Sequence, residues 1–212
     1  MRKVYWMMMI LIILSLIIGI YFYPKMPDQI ASHWNIQNEV DGYMSRFWGV
    51  FLVPIIIIAI SALFIFIPKL DPLKKNIVSF QDEFDKFSLI ILLFLFYIYL
   101  LTLIWNLGIY FSLGKFVIVG VAIIIYYAAI LIGKSKRNYF IGIRTPWTLS
   151  SDNVWDKTHK LGEKVFKLAA VLMLVSLFIE NSFLFILIII LIMVFIPIIY
   201  SYRFFREEKL RK

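Results

Sequence analysis

Five stretches of the chain run almost free of charge for the length a bilayer requires: residues 4–23, 47–67, 87–107, 116–133 and 182–202. A helix crosses the ~30 Å hydrocarbon core with about 20 residues, so each stretch predicts a transmembrane helix. A sixth run, residues 165–179, is shorter. Lys164 and Lys167 can return their ammonium groups to the headgroups while their stems stay in lipid, and counted over 162–180 the segment is long enough. The pattern predicts an all-α integral membrane protein with six transmembrane helices. Two polar intervals are long enough to hold chemistry, 24–46 and 134–163. The interval 68–86 reads as a connector with a short amphipathic piece, and 180–182 as a tight turn closing a helical hairpin. The expected division is a two-helix unit over 1–67, a second over 68–133, and a third unit over 134–212.

Composition agrees: 62% of residues are hydrophobic, against the roughly 45–50% usual for soluble domains. A net charge of +9 would suggest nucleic acid in a soluble protein, but here the basic residues have a topological use. With the N-terminus inside, nineteen of the twenty-two Lys and Arg fall in inner segments, leaving Lys25, Arg46 and Lys115 outside. That asymmetry predicts cytoplasmic N- and C-termini in a multi-pass plasma-membrane protein, with anionic lipid adding about 1 kcal/mol per nearby cation. No direct nucleic-acid contact is expected. Arg2 and Lys3 before the first apolar run resemble a secretory signal, but the run is too long and ends in Tyr21, Phe22 and Tyr23, not in small residues, so a retained first helix is expected. Cysteine is absent, which removes disulfides, thiolate metal sites and thiol nucleophiles.

The interval 134–163 is more elaborate than a connector needs. In Arg144-Thr145-Pro146-Trp147 the proline forces extended geometry on Thr145, and residues 141–143 lead in as an extended or turning segment. Ser150, Ser151 and Asp152 are N-cap candidates for the next helix. On that helix Asp152, Asp156, His159 and Glu163 share one face, with Lys157, Lys160, Lys164 and Lys167 beside it. One straight helix seldom gives an ion more than two neighbouring ligands, so a solvated, charge-laced helix is expected instead of a metal site, and no cofactor. Trp147 and Trp155 suit the aromatic belt at the bilayer interface. Arg144 beside a tryptophan on a fixed turn suits grip on a carboxylate, a phosphate headgroup or an acidic partner.

These residues also carry a resemblance. The run RNYFIGIRTPWTLS at 137–150, with Val154-Trp155 and Thr158-His159-Lys160-Leu161-Gly162 after it, is similar to the signature of the SdpI family, immunity proteins against a sporulation-delaying peptide toxin. The likeness covers roughly residue 133 to the C-terminus. Residues 23–54, with Pro27-Asp28-Gln29-Ile30, His33-Trp34-Asn35 and Asp41-Gly42-Tyr43, resemble a membrane domain of unknown function often found upstream in that family. The resemblance implies a six-helix membrane protein that protects its cell from a secreted antimicrobial peptide and, in the best-known case, draws a cytoplasmic transcriptional repressor to the membrane. Its motif falls on Arg137, Asn138, Gly142, Arg144, Thr145, Pro146, Trp147, Trp155, Thr158 and His159 as the inner binding set.

The outer interval offers Asp28, His33, Trp34, Asn35, Asp41 and Tyr43 as a ligand-binding set. Trp34, Tyr43 and Trp48 could receive an apolar peptide at the membrane surface or serve only as interfacial belt. Asp28, His33, Glu39 and Asp41 could form a metal or proton-sensing cluster, but the expectation is that they cap element ends and meet water. The two histidines lie on opposite sides of the expected topology and cannot share an ion; HExxH, GxSxG and P-loop motifs are absent. The reading is therefore a binding protein and not an enzyme. The alternatives are a small transporter or channel, against which no span has a central ionisable residue, and a membrane enzyme using Asp152, Asp156, His159 and Glu163.

Overall fold

The computed structural model describes residues 2–180 and 182–210. Its helices are α1 (Lys3–Phe22), α2 (Arg46–Leu70), α3 (Lys74–Val78), α4 (Gln81–Asn106), α5 (Leu113–Lys134), α6 (Pro146–Ser150), α7 (Asp152–Val175) and α8 (Phe183–Leu210). Among the described residues five helices are long and apolar enough to cross a membrane: α1, α2, α4, α5 and α8. These correspond to the five charge-free runs. Pro54 and Pro197 lie within α2 and α8, neither of which they break. α3 is the short piece expected in the second interval, and α7 begins at its expected cap, with Ser151 Oγ accepting from Val154 N. The turn expected at 180–182 includes Asn181, which lies outside the described residues.

The all-helical expectation needs one amendment. Residues 29–45 form an antiparallel hairpin, β1 (Gln29–Trp34) and β2 (Val40–Ser45), in place of the expected loop. Its turn is held by the Asn35 side chain, whose Oδ1 accepts from Gln37 N at 2.9 Å and Glu39 N at 3.0 Å. Asn38 supplies the left-handed residue, φ 62°, a conformation asparagine adopts more readily than most non-glycine residues.

The chain divides into two compact units, residues 1–64 with 88–120, and residues 65–87 with 121–212. In the first, Met26, Ile30, Val50, Tyr99 and Leu103 form a buried cluster joining the hairpin to helices α2 and α4. Asn106, at the end of α4, replaces a third strand: its Nδ2 donates to Ala31 O at 3.0 Å and its Oδ1 accepts from Ala31 N at 2.8 Å. In the second unit, Ala122, Ile125, Ala169, Ala170, Met173 and Ile189 bring α5, α7 and α8 together. Small residues on α7 permit that close approach.

Candidate functional site

Residues 135–151 fold as one knot against the start of α7. Asn138 is fully buried and organises the turn: its Nδ2 donates to Lys136 O and Ile141 O, both at 2.8 Å, and its Oδ1 accepts from Phe140 N and Ile141 N. Arg137 Nη1 donates to Leu149 O at 2.9 Å, and its Nε lies 2.7 Å from Asp152 Oδ1, an ion pair that falls short of hydrogen-bond geometry. Thr145 caps α6, with Thr148 reciprocating in a capping box and Pro146 in the first turn. The Thr145 and Ser201 hydroxyls meet at 3.1 Å, and Trp147 packs on Tyr202 at 5.1 Å between centroids, so this loop is fastened to the far end of α8.

His159 is the centre of the knot. Ile143 N–H donates to its Nε2 at 2.9 Å, which makes Nε2 the unprotonated nitrogen, and Nδ1–H therefore donates to Trp155 O at 2.8 Å. The ring stacks on Trp155, 4.0 Å between centroids, and Trp155 Nε1 in turn donates to Ser135 O at 3.0 Å. Burial pushes the imidazole down to about 4, against weaker upward effects from the Trp155 carbonyl and the Asp156 charge. Both ring nitrogens are thus hydrogen-bonded within the chain, and burial disfavours the charged form. Gly142 is required by the same contact: its φ is +119°, and a Cβ there would stand 2.5 Å from His159 Nε2.

The acidic face of α7 does not converge. Asp152 pairs with Arg137, Asp156 with Lys136 at 3.3 Å, and Glu163 with Lys167 at 2.6 Å. Among the described residues no three metal-ligating side chains group together. Thr158 is buried, and its Oγ1 has no hydrogen-bond partner. Of the residues expected as an inner binding set, Arg137, Asn138, Gly142, Thr145, Trp155 and His159 are thus committed to the knot. Arg144 differs: it is exposed and donates to Tyr139 O at 2.6 Å, beside Tyr139 and Phe140, which are 49% and 41% exposed. Trp147 packs on Tyr202.

Two residues outside the motif complete the knot. Asp71 is 2% exposed; its Oδ1 accepts from Leu73 N at 2.6 Å and its Oδ2 from Tyr139 N at 2.8 Å. Asn76 Nδ2 donates to Arg137 O at 2.6 Å. The only sequence signal for either is an Asp-Pro step between two spans.

In the first unit the expected outer set separates into two. Asp28 sits at the base of the hairpin and takes Arg46 Nη2 at 2.5 Å, while His33 Nδ1 meets Asp41 Oδ1 at 2.5 Å near the tip. Asn35 is a turn residue, and Tyr43 is 61% exposed on β2. Trp34 packs edge-to-face on Trp105 at 5.3 Å and lines an open cleft of about 280 Å³ between β1 and the adjoining parts of α4 and α5.

Long apolar helices joined by two ordered polar loops define a multi-pass helical membrane protein. Comparison with known proteins then narrows the class. Residues 134–201 match the SdpI/YfhL protein family, and residues 10–58 match a domain of unknown function, DUF1648. The chain is 22% identical over 200 residues to the immunity protein SdpI of Bacillus subtilis (strain 168), covering 93% of this chain and 94% of that protein. The resemblance carried by residues 137–162 is therefore borne out, and it extends through the upstream segment. No solved structure matches.

Proposed function

We propose that this chain is a membrane immunity protein that protects its cell from a secreted antimicrobial peptide. The observation that carries the reading is the end-to-end likeness to an immunity protein, 93% of one chain on 94% of the other. It includes the segment that builds the knot.

In this reading α7 from residue 162 onward begins a sixth span. Ser151 Oγ donates to Glu208 at the start of α7, Thr145 meets Ser201 just before it, and Met173 shares a cluster with Ile189. α7 therefore lies antiparallel beside α8 over most of its length, at the depth of a helix apolar enough to span. Lys164 and Lys167 then snorkel to the headgroups. With six spans and the basic loops inside, the hairpin lies outside and the knot at the cytoplasmic surface. The peptide meets the hairpin. Exposed Tyr139, Phe140 and Arg144 form the cytoplasmic patch open to a partner, which the family likeness suggests is a transcriptional repressor.

The test is survival of a sensitive host expressing the chain and challenged with a sporulation-delaying peptide toxin. Protection by the intact chain is expected. Arg144→Ala should retain protection while any repressor recruitment is lost, because its side chain contributes to the knot only one bond, to Tyr139 O. A host that dies as fast with the protein in its membrane as without it refutes the reading.

A further inference from the structure

Three lysines of α7 run into three apolar residues along one stripe. Lys157, Lys160, Lys164, Leu168, Val171 and Val175 follow one another at intervals of three and four, so they share a side of the helix. Lys160, Lys164 and the three apolar residues are exposed, and Lys157 is half-buried. The stripe therefore changes from cationic to apolar between Lys164 and Leu168 while staying at the surface. Beside it, two cations are held on aromatic rings. Lys157 Nζ stands 6.0 Å from the centre of the Phe204 ring, Phe204 meets Tyr200 at 5.8 Å between centroids, and the Arg203 guanidinium lies 5.3 Å from the centre of the Tyr200 ring.

The acids of α7 are spent elsewhere, Asp156 on Lys136, Asp152 on Arg137 and Glu163 on Lys167. Among the described residues Lys157, Lys160, Lys164 and Arg203 make no ion pair, and Glu207, one turn beyond Arg203, is not paired with it. A ring face attracts a cation without consuming its N–H donors, so Lys157 and Arg203 are positioned yet keep their hydrogen-bonding capacity for a phosphate. A free anion would be served by the charges alone; the apolar run next along the stripe selects an anion that carries hydrocarbon. We propose that Lys157 and Arg203, flanked by Lys160 and Lys164, bind the phosphate of an anionic glycerophospholipid whose acyl chain lies along Leu168, Val171 and Val175. The inference rests on the reading of α7 as a sixth span and is independent of the immunity function.

The chain lacks cysteine, so one introduced thiol can carry a fluorophore. Leu168→Cys, one turn beyond Lys164, reports the proposed site; Ile192→Cys on α8, about 16 Å along the helix from Arg203, reports bulk lipid. Both positions are exposed. The full-length variants are reconstituted into vesicles of phosphatidylcholine and phosphatidylglycerol in equal parts, with the acyl chains of one lipid or the other brominated as quencher. At position 192 the two brominated lipids should quench alike. At position 168 phosphatidylglycerol should be preferred on the order of twentyfold, from two cations at about fivefold each. Lys157→Gln with Arg203→Gln should cut that preference to below about threefold, with quenching by brominated phosphatidylcholine retained as the sign that α7 is still in place. Lys74→Gln with Lys75→Gln, which removes the same charge from two exposed side chains of α3, should leave the preference intact. Equal quenching by the two lipids at position 168 overturns the lipid site while leaving the sixth span standing. An equal loss from the two double variants overturns it as well, because net charge alone then accounts for the preference. Displacement of the lipid by millimolar glycerol phosphate overturns the lipid assignment in favour of a free-phosphate site. No quenching by either lipid at position 168 overturns the site and the sixth span together.

Discussion

Gly142→Ala tests the knot most sharply, because two separate costs meet at one atom. The first is backbone: φ of +119° is a region L-residues rarely occupy, costing about 1–3 kcal/mol. The second is steric. The new Cβ would lie 2.5 Å from His159 Nε2 and 3.1 Å from a carbon of the Trp155 ring. The imidazole cannot retreat cheaply, since it is stacked on Trp155 and bonded to Trp155 O. If it moves, Ile143 N–H loses its acceptor, and a stranded donor costs about 1–3 kcal/mol. The expected destabilisation is ~3–5 kcal/mol. Gly108→Ala gauges the first cost alone, because Gly108 has φ +96° with nothing within 4 Å of its would-be Cβ. The assay is a double-mutant cycle of Gly142→Ala with His159→Ala, read by denaturant unfolding in detergent micelles. With the imidazole removed the 2.5 Å clash disappears, leaving the backbone strain and the tight approach to Trp155, so the double variant should be about 2 kcal/mol more stable than the sum of the singles predicts. Additivity within ~0.5 kcal/mol, or a Gly142→Ala cost equal to that of Gly108→Ala, would refute the contact as the reason for the glycine.

Acid should loosen the same knot. Folded His159 titrates near 4 and the unfolded imidazole near 6.5, so between those values the unfolded state holds a proton that the folded state lacks. Stability must therefore fall as pH drops through that window; the loss from about pH 7 to pH 5 is ~2 kcal/mol, and a His159→Asn variant that keeps the full slope in unfolding midpoints would assign it elsewhere. Asn106→Leu strands the N–H and C=O of Ala31 together, and hydrogen exchange at the Ala31 amide should accelerate at least about tenfold; unchanged protection would show that α4 does not brace the hairpin. Asp71→Ala releases Leu73 N–H and Tyr139 N–H at once and should cost ~2–4 kcal/mol, with earlier proteolytic cleavage near Tyr139. Asp71→Asn, which retains acceptor capacity on one oxygen, should recover part of that loss.

The five long spans are legible in the sequence because an uninterrupted apolar run of bilayer length would be costly to expose anywhere but in lipid. α7 is legible for a different reason: Ser151 announces its start locally, and the spacing of its acids and lysines is helical even where it is not apolar. The hairpin is hidden because QIASHW and VDGYMS lack the clean alternation of a strand. Part of what stabilises them lies far along the chain, in the Asn106 amide bonded to Ala31 75 residues away. Local pattern cannot contain that information.

The motif residues stand out in the sequence, but their task does not. Arginine, histidine and tryptophan suit partner recognition and internal bracing by the same chemistry: a planar donor fork, an imidazole with one donor and one acceptor, an indole N–H. What separates the uses is whether carbonyls of the same chain already occupy the donors. In this chain Leu149 O takes Arg137, Trp155 O takes His159 and Ser135 O takes Trp155. The density of the motif thus reflects how many orphan backbone groups a buried, non-helical loop must satisfy for itself. What the knot leaves exposed is the Arg144 side chain with Tyr139 and Phe140.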